Sequence, residues 1–335
     1  MAAVDIGKYA EGYLQEWDQR ATVRARQRYR LTADAVLKEL YPALLMPVLK
    51  HPEIVARGEE ARRRIVVQTA CAAQEAIAGI EADVVADLCS RLASEGAGVP
   101  LPGATRQVAL TIGTDELYHA YVAREFVADI ERLSGVPALA ADDARPPLYA
   151  AVAFIRAAAP GELQRSAETM ALCIAEHFVT EELFGVSKDT VSDSPFHFIL
   201  REHLVDEGRH QVFFRHLMRH LWEASAEDAR IALGELLPGF LDAFLHPGFQ
   251  RHLDLRILEG LGFTGDDSIR VATEVATLAY GLPTAGAKGA RPPARHPLRL
   301  LQEAGVLDHR PTCERLIESG WLVDQGKRPV RRGID

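Results

Sequence analysis

The stretch "HLVDEGRH", His203 to His210, decides how this chain is read. It ends in Glu-x-x-His with Asp206 in front, and "TDELYH", Thr114 to His119, carries the same Asp-Glu-x-x-His ninety-one residues earlier. With this composition such a motif arises by chance on the order of 0.05 times, so two copies demand a reason. Residues i and i+3 lie on one helix face, so each copy aims a carboxylate and an imidazole at the same spot. One such pair cannot complete a metal's coordination. Two pairs facing each other across a bundle, with one further Glu from each of two other helices, can hold two metal ions.

Working outward, the chain should supply helices in the order Glu, ExxH, Glu, ExxH, and it does. "ALCIAEHFVTEELF" places Glu176 amid Ala171, Leu172, Ile174 and Ala175, where a lone carboxylate is costly unless paired or metal-bound. Glu181 and Glu182, nearer the polar end, read as solvated. Before the first motif, "TACAAQEAIAGIEADVVADLC" offers both Glu75 and Glu81. Six residues turn a helix by about 600°, leaving the two roughly 120° apart, so they cannot share a face. Glu81 stands thirty-five residues before Glu116, and Glu176 thirty-one before Glu207. That similarity favours Glu81, flanked at helical spacing by Ile77, Ile80, Val84 and Leu88.

His203, Glu207 and His210 fall at i, i+4 and i+7, a narrow stripe of one helix, which makes a three-ligand face. The expected ligands are therefore Glu81, Glu116, His119, Glu176, His203, Glu207 and His210. Asp115 and Asp206 are each one position off a ligand Glu and do not point at the same metal. Each is expected to accept the far N–H of the His on the other ExxH helix, fixing its orientation and raising its basicity. His177 points about 100° away from Glu176, His216 and His220 extend a polar side, and Tyr118 and Tyr121 pack against neighbours. Carboxylates and imidazoles in these numbers suit iron or manganese better than a structural zinc, and two Fe(II) ions are the expectation.

The rest of the 335 residues reads as helix, with Ala, Leu, Arg and Glu abundant and alternating β-branched runs scarce. Helical stretches over 3–50 are punctuated by Pro42, Pro47 and Pro52. A long helix spans about Glu59 to Ala93 and stops in "SEGAGVPLPG". Thr105 is expected to cap the next, to about Leu133. A short helix breaks near Pro160, another runs from Gly161 to Phe184, and Ser194 caps one from Pro195 to Trp222. Ser225 and Asp228 form a capping-box-like start to helices reaching Ala279. "GLPTAGAKGARPPARHP" reads as a mobile loop before a C-terminal tail. One all-helical domain is expected over 1–335, with a ferritin-like four-helix bundle core at about 59–222, flanking helices at 3–50 and 226–282, and a tail at 283–335.

The net charge of −9 and the lack of a basic stripe argue against nucleic acid as the main partner. The basic "GKRPVRRGID" reads as a solvated end. No signal peptide or membrane span is legible. Cys71, Cys89, Cys173 and Cys313 form no CxxC pair, which points to a reducing cytoplasm.

In the order Glu81, "DELYH", Glu176, "HLVDEGRH" the chain resembles the diiron arylamine N-oxygenases, typified by the p-aminobenzoate N-oxygenase. The histidine four residues before the last ExxH separates that group from most ferritin-like diiron proteins. The resemblance implies two iron ions, O₂ as co-substrate, an external electron donor and a homodimer. It implies oxidation of an amine nitrogen, to hydroxylamine and onward to nitro, on a small natural-product precursor. No arginine is assigned to a substrate carboxylate, so p-aminobenzoate itself is not carried over. The same ligands would serve a diiron C-hydroxylase or oxidase, or a ferroxidase or iron-storage protein.

Overall fold

Asp5 caps the first helix, α1 (Ile6–Arg20), its carboxylate accepting the N–H groups of Gly7 and Lys8 at 2.9 and 3.2 Å. The computed structural model describes residues 5–323 apart from 26, 28, 141, 188–192, 281–287 and 291. Of 180, 182–184, 186, 278–280 and 290 it describes only the backbone. After a break at Ala21 comes α2 (Thr22–Ala25), and 3₁₀ turns at Ala35–Leu37, Ala43–Leu45 and Pro47–Lys50 lead to α3 (Pro52–Ala56). Prolines without N–H groups keep this stretch from forming one helix.

The predicted long helix is a rod of three parts: α4 (Gly58–Gly79), a π-helical turn (Ile80–Val85) and α5 (Ala86–Glu95). It ends at Gly96, whose φ of 82° suits only glycine. Next come α6 (Gly103–Ser134), closed by left-handed Gly135, then α7 (Pro147–Ala158) and α8 (Gln164–Ser187). Ser194 caps α9 (Pro195–Ala224) by accepting the His197 N–H at 3.1 Å, with Pro195 in the first turn. Beyond lie α10 (Glu227–Phe244), α11 (Gly248–Gly260), α12 (Gly265–Tyr280), α13 (Arg295–Glu303) and α14 (Arg310–Glu318). Helix is the regular structure throughout the described residues, and none of those helices is long and apolar enough to cross a membrane.

Three local expectations are corrected. Thr105 lies buried inside α6, which starts two residues earlier behind Pro102, because the proline already fixes the entry. The Ser225 hydroxyl donates back to the Leu221 carbonyl at 2.7 Å, closing α9 instead of capping α10. Within the predicted tail, α13 and α14 form, and with the residues after α14 they contribute Leu300, Leu301, Leu316 and Trp321 to the main apolar core. Residues 281–287 of the predicted loop, and the basic end, lie outside the described residues.

The α4–α5 rod packs on α6, and α8 packs on α9; contacts of α5 with α8 and of α6 with α9 join the pairs into a ferritin-like four-helix bundle. The long crossover from α6 to α8 carries α7, which packs on α8 and α10. Its interior is apolar: Ile112 from α6, Met170 and Ile174 from α8, and Phe213, Phe214 and Leu217 from α9 are fully buried. Each such side chain stabilises the fold by about 1.5–3 kcal/mol. Helix α1 lies across the seam, against both α6 and α9.

Candidate metal centre

Each helix of the bundle delivers buried polar groups to its apolar middle. The rod brings Glu81, α6 brings Asp115, Glu116 and His119, α8 brings Glu176, and α9 brings His203, Asp206, Glu207 and His210. All are under 9 % exposed except His203, which is partly buried. Glu75 stays outside, half-exposed with its carboxylate 4.0 Å from Arg124. Glu81 lies within the π turn, where each backbone hydrogen bond spans one residue more than in an α-helix, so a simple α-helical wheel does not give its direction.

The donors gather into two groups. Glu81, His119 and His203 each offer an atom within 4.8 Å of the others, and so do Glu116, Glu176, Glu207 and His210. The groups adjoin. His203 Nε2 stands 3.0 Å from Glu81 Oε1 and 3.1 Å from Glu207 Oε1. His210 Nδ1 lies 2.8 Å from Glu116 Oε1 and 3.5 Å from Glu207 Oε1. His119 Nδ1 is 3.7 Å from carboxylate oxygens of both Glu116 and Glu207. The rings of His119 and His203 are 4.3 Å apart between centroids.

The two ExxH histidines point Nδ1 inward and Nε2 outward. His119 Nε2 lies 3.1 Å from Asp206 Oδ2, and His210 Nε2 lies 3.2 Å from Asp115 Oδ2, each link crossing between α6 and α9. Both aspartates are wholly buried. Sequence reasoning missed their other partners. Trp17 Nε1 donates to both Asp115 oxygens at 3.0 Å. The Thr22 N–H donates to Asp206 at 3.2–3.3 Å, and the Thr22 hydroxyl donates there as well. Arg209 hydrogen-bonds Asp206 and reaches Asp115 at 3.5 Å. Only Arg209 had a local signal, three residues after Asp206 on the same helix.

Burial, and then the neighbouring Glu116 and Glu207, push the Glu176 carboxyl well up; burial also raises Glu81. Burial would raise Glu207 too, but bonds from His203 and His210 overcome it and hold that carboxylate well below its ordinary range. Burial opposes charge on His119, yet the bond to Asp206 and the nearby Glu116 carboxylate outweigh it and lift the imidazole to about 9. His203 and His210 are raised by the same competition. Protons thus do the work of cations among crowded carboxylates.

The donor set fits a pair of cations. Glu81 Oε2 and His119 Nδ1 are buried with no hydrogen-bonding partner among the described residues, a costly arrangement in an apolar bundle. Four carboxylates match the charge of two divalent ions, and oxygen with imidazole donors suits iron or manganese.

The remaining predicted groups lie elsewhere. His177 is buried 3.5 Å from Arg299. Contrary to expectation, Glu181 is not simply solvated: it accepts from Gln211 at 2.7 Å and pairs with Arg299 of α13, which docks where the polar end of α8 was expected to meet water. The Glu182 side chain is outside the described residues. The His216 ring lies tilted 4.9 Å from the Tyr9 ring, and His220 Nε2 lies 2.9 Å from the Pro100 carbonyl oxygen. Tyr118 packs against a satellite apolar cluster, and Tyr121 is exposed.

No curated protein matches the chain. The family described as P-aminobenzoate N-oxygenase AurF matches residues 17–278, an interval that begins at the indole bonded to Asp115 and contains both donor groups and the two aspartates behind them. Since that match spans well over half the length, the chain belongs to the p-aminobenzoate N-oxygenase (AurF) family.

Proposed function

We propose that this protein is a non-haem diiron oxygenase that uses O₂ to oxidise the amine nitrogen of a small molecule to hydroxylamine and onward to nitro. The observation that carries the reading is the meeting of Glu81, Glu116, His119, Glu176, His203, Glu207 and His210 in two adjoining donor groups, within a chain of this family. When bound, two iron ions supply the electrons that reduce O₂ and make an oxygen atom transferable to nitrogen. Manganese fits the same donors.

The residues have distinct duties. Glu116 and Glu207 lie between the inward Nδ1 atoms of His119 and His210 and supply charge to both groups. Asp206 and Asp115 hold the Nε2–H of those imidazoles, so each ring keeps the tautomer with Nδ1 free to ligate. His203 presents Nε2 between Glu81 and Glu207 and completes the first group. The apolar bundle keeps bulk water from the reacting centre. Electrons come from a donor outside this chain, since its sequence carries no flavin or iron–sulfur motif.

The test is to load the metal-free protein anaerobically with Fe(II), add O₂, a reductant and a panel of arylamines, and read products by mass spectrometry. Hydroxylamine or nitro products formed over many turnovers support the proposal. Hydroxylation at carbon would replace it with the C-hydroxylase reading, and iron oxidation without organic product with the ferroxidase reading.

A further inference from the structure

The aspartates behind the two ExxH histidines are held from outside the bundle. Trp17 comes from α1 and Thr22 from the start of α2, and both bond carboxylates that are wholly buried between α6 and α9. Thr22 is itself 3 % exposed. Arg209 ties the two anchor points together by reaching both aspartates, and its guanidinium lies 5.3 Å over the ring of Tyr13, also on α1. The chain of contacts is thus continuous: Trp17 to Asp115 to His210, and Thr22 to Asp206 to His119.

We infer that residues 6–25 form a latch on the metal centre, with Trp17 and Thr22 as positioning residues that act through Asp115 and Asp206. This rests on the metal-binding reading above. An aspartate can orient an imidazole only if it is itself held, because a free carboxylate swings about χ2. Asp115 has the indole N–H across both its oxygens, and Asp206 has the backbone and hydroxyl donors of Thr22. With these bonds made, each His presents Nδ1 inward at no further ordering cost. With the latch undocked, the aspartates lose donors in a buried place and the imidazoles lose their fixed orientation. Metal binding and docking of the latch are therefore reciprocal: each strengthens the other by the same factor.

The test uses the full chain and Co(II) as a spectroscopic stand-in. Wild type, Trp17→Phe with Thr22→Val, and Thr22→Ser alone are titrated with Co(II), and amide hydrogen exchange of residues 6–25 is followed with and without metal. The double variant should bind metal about tenfold more weakly, on the scale of lost outer-sphere bonds, with an altered Co(II) absorption band. Thr22→Ser, which keeps the hydroxyl, should match wild type. In wild type, metal should slow exchange in 6–25. Unchanged affinity and spectrum in the double variant, or exchange in 6–25 indifferent to metal, would overturn the latch. Should the double variant fail to fold, the exchange experiment on wild type decides alone. If wild type takes up no metal at all, the metal reading itself fails; if wild type binds and the variant binds equally, only the latch does.

Discussion

His203 is the residue on which the first donor group depends, because it brings a nitrogen within 3.1 Å of both Glu81 and Glu207. His203→Ala should reduce bound iron from two towards one per chain while leaving the helical circular dichroism unchanged; full metal content in the variant would remove His203 from the centre. The protons held on His119, His203 and His210 have a measurable consequence. Their affinities are raised in the metal-free protein, so an entering dication must displace protons, and apparent metal affinity should climb as pH rises. Equilibrium titrations between pH 6 and 8, about one unit either side of neutrality, check the sign. His177 runs the other way. Burial and Arg299 depress it to about 4, so the folded state excludes a proton that the unfolded chain binds below its ordinary 6.5. Stability should fall as pH drops through that window, by up to ~3 kcal/mol, and His177→Gln should flatten this part of the profile in denaturant melts.

At the level of the element, five of the seven expected donors, Glu116, His119, His203, Glu207 and His210, were legible because i, i+3 and i+4 spacings survive in α6 and α9, where backbone geometry is regular; Glu176 of α8 stood out instead as a carboxylate in an apolar run. Glu81 was the harder choice. The sequence contains no marker for a π turn, and an α-helical wheel assumes a constant rotation that Ile80–Val85 does not keep. Spacing to the next motif, not the wheel, pointed to Glu81. Trp17 and Thr22 were illegible, since their partners lie 98 and 184 residues away and nothing local marks them. Thr105 and Ser225 show a different limit: a capping residue type is common near helix ends, and a neighbouring proline or a preceding helix can claim the role first. One connection has a sharp requirement. Gly98, between α5 and α6, has a φ of 75°, and a Cβ there would lie 2.2 Å from Ser166 Oγ of α8. Gly98→Ala should cost about 1 kcal/mol or more and lower the melting temperature by roughly 1–2 °C for each kcal/mol lost, as scanning calorimetry would show.

Across the whole molecule, the four-helix core was readable from the order of its motifs, while the docking of the C-terminal region was not. Short amphipathic segments such as α13 and α14 carry too few residues to show where they pack. In the structure Leu300, Leu301, Val306, Leu316 and Trp321 are almost wholly buried. A chain ending at residue 294 would expose their partners on α8 and α10, and should lose on the order of 10 kcal/mol of burial, enough to abolish cooperative unfolding. The bundle itself stands or falls on what it holds. Crystals of the iron-loaded protein, measured at the iron absorption edge, give the most direct answer. Two anomalous peaks about 3.5–4 Å apart are expected, one ligated by Glu81, His119 and His203 and the other by Glu176 and His210, with Glu116 and Glu207 between them. Peaks only on the surface, or none among these seven side chains, would contradict a dinuclear centre in this fold.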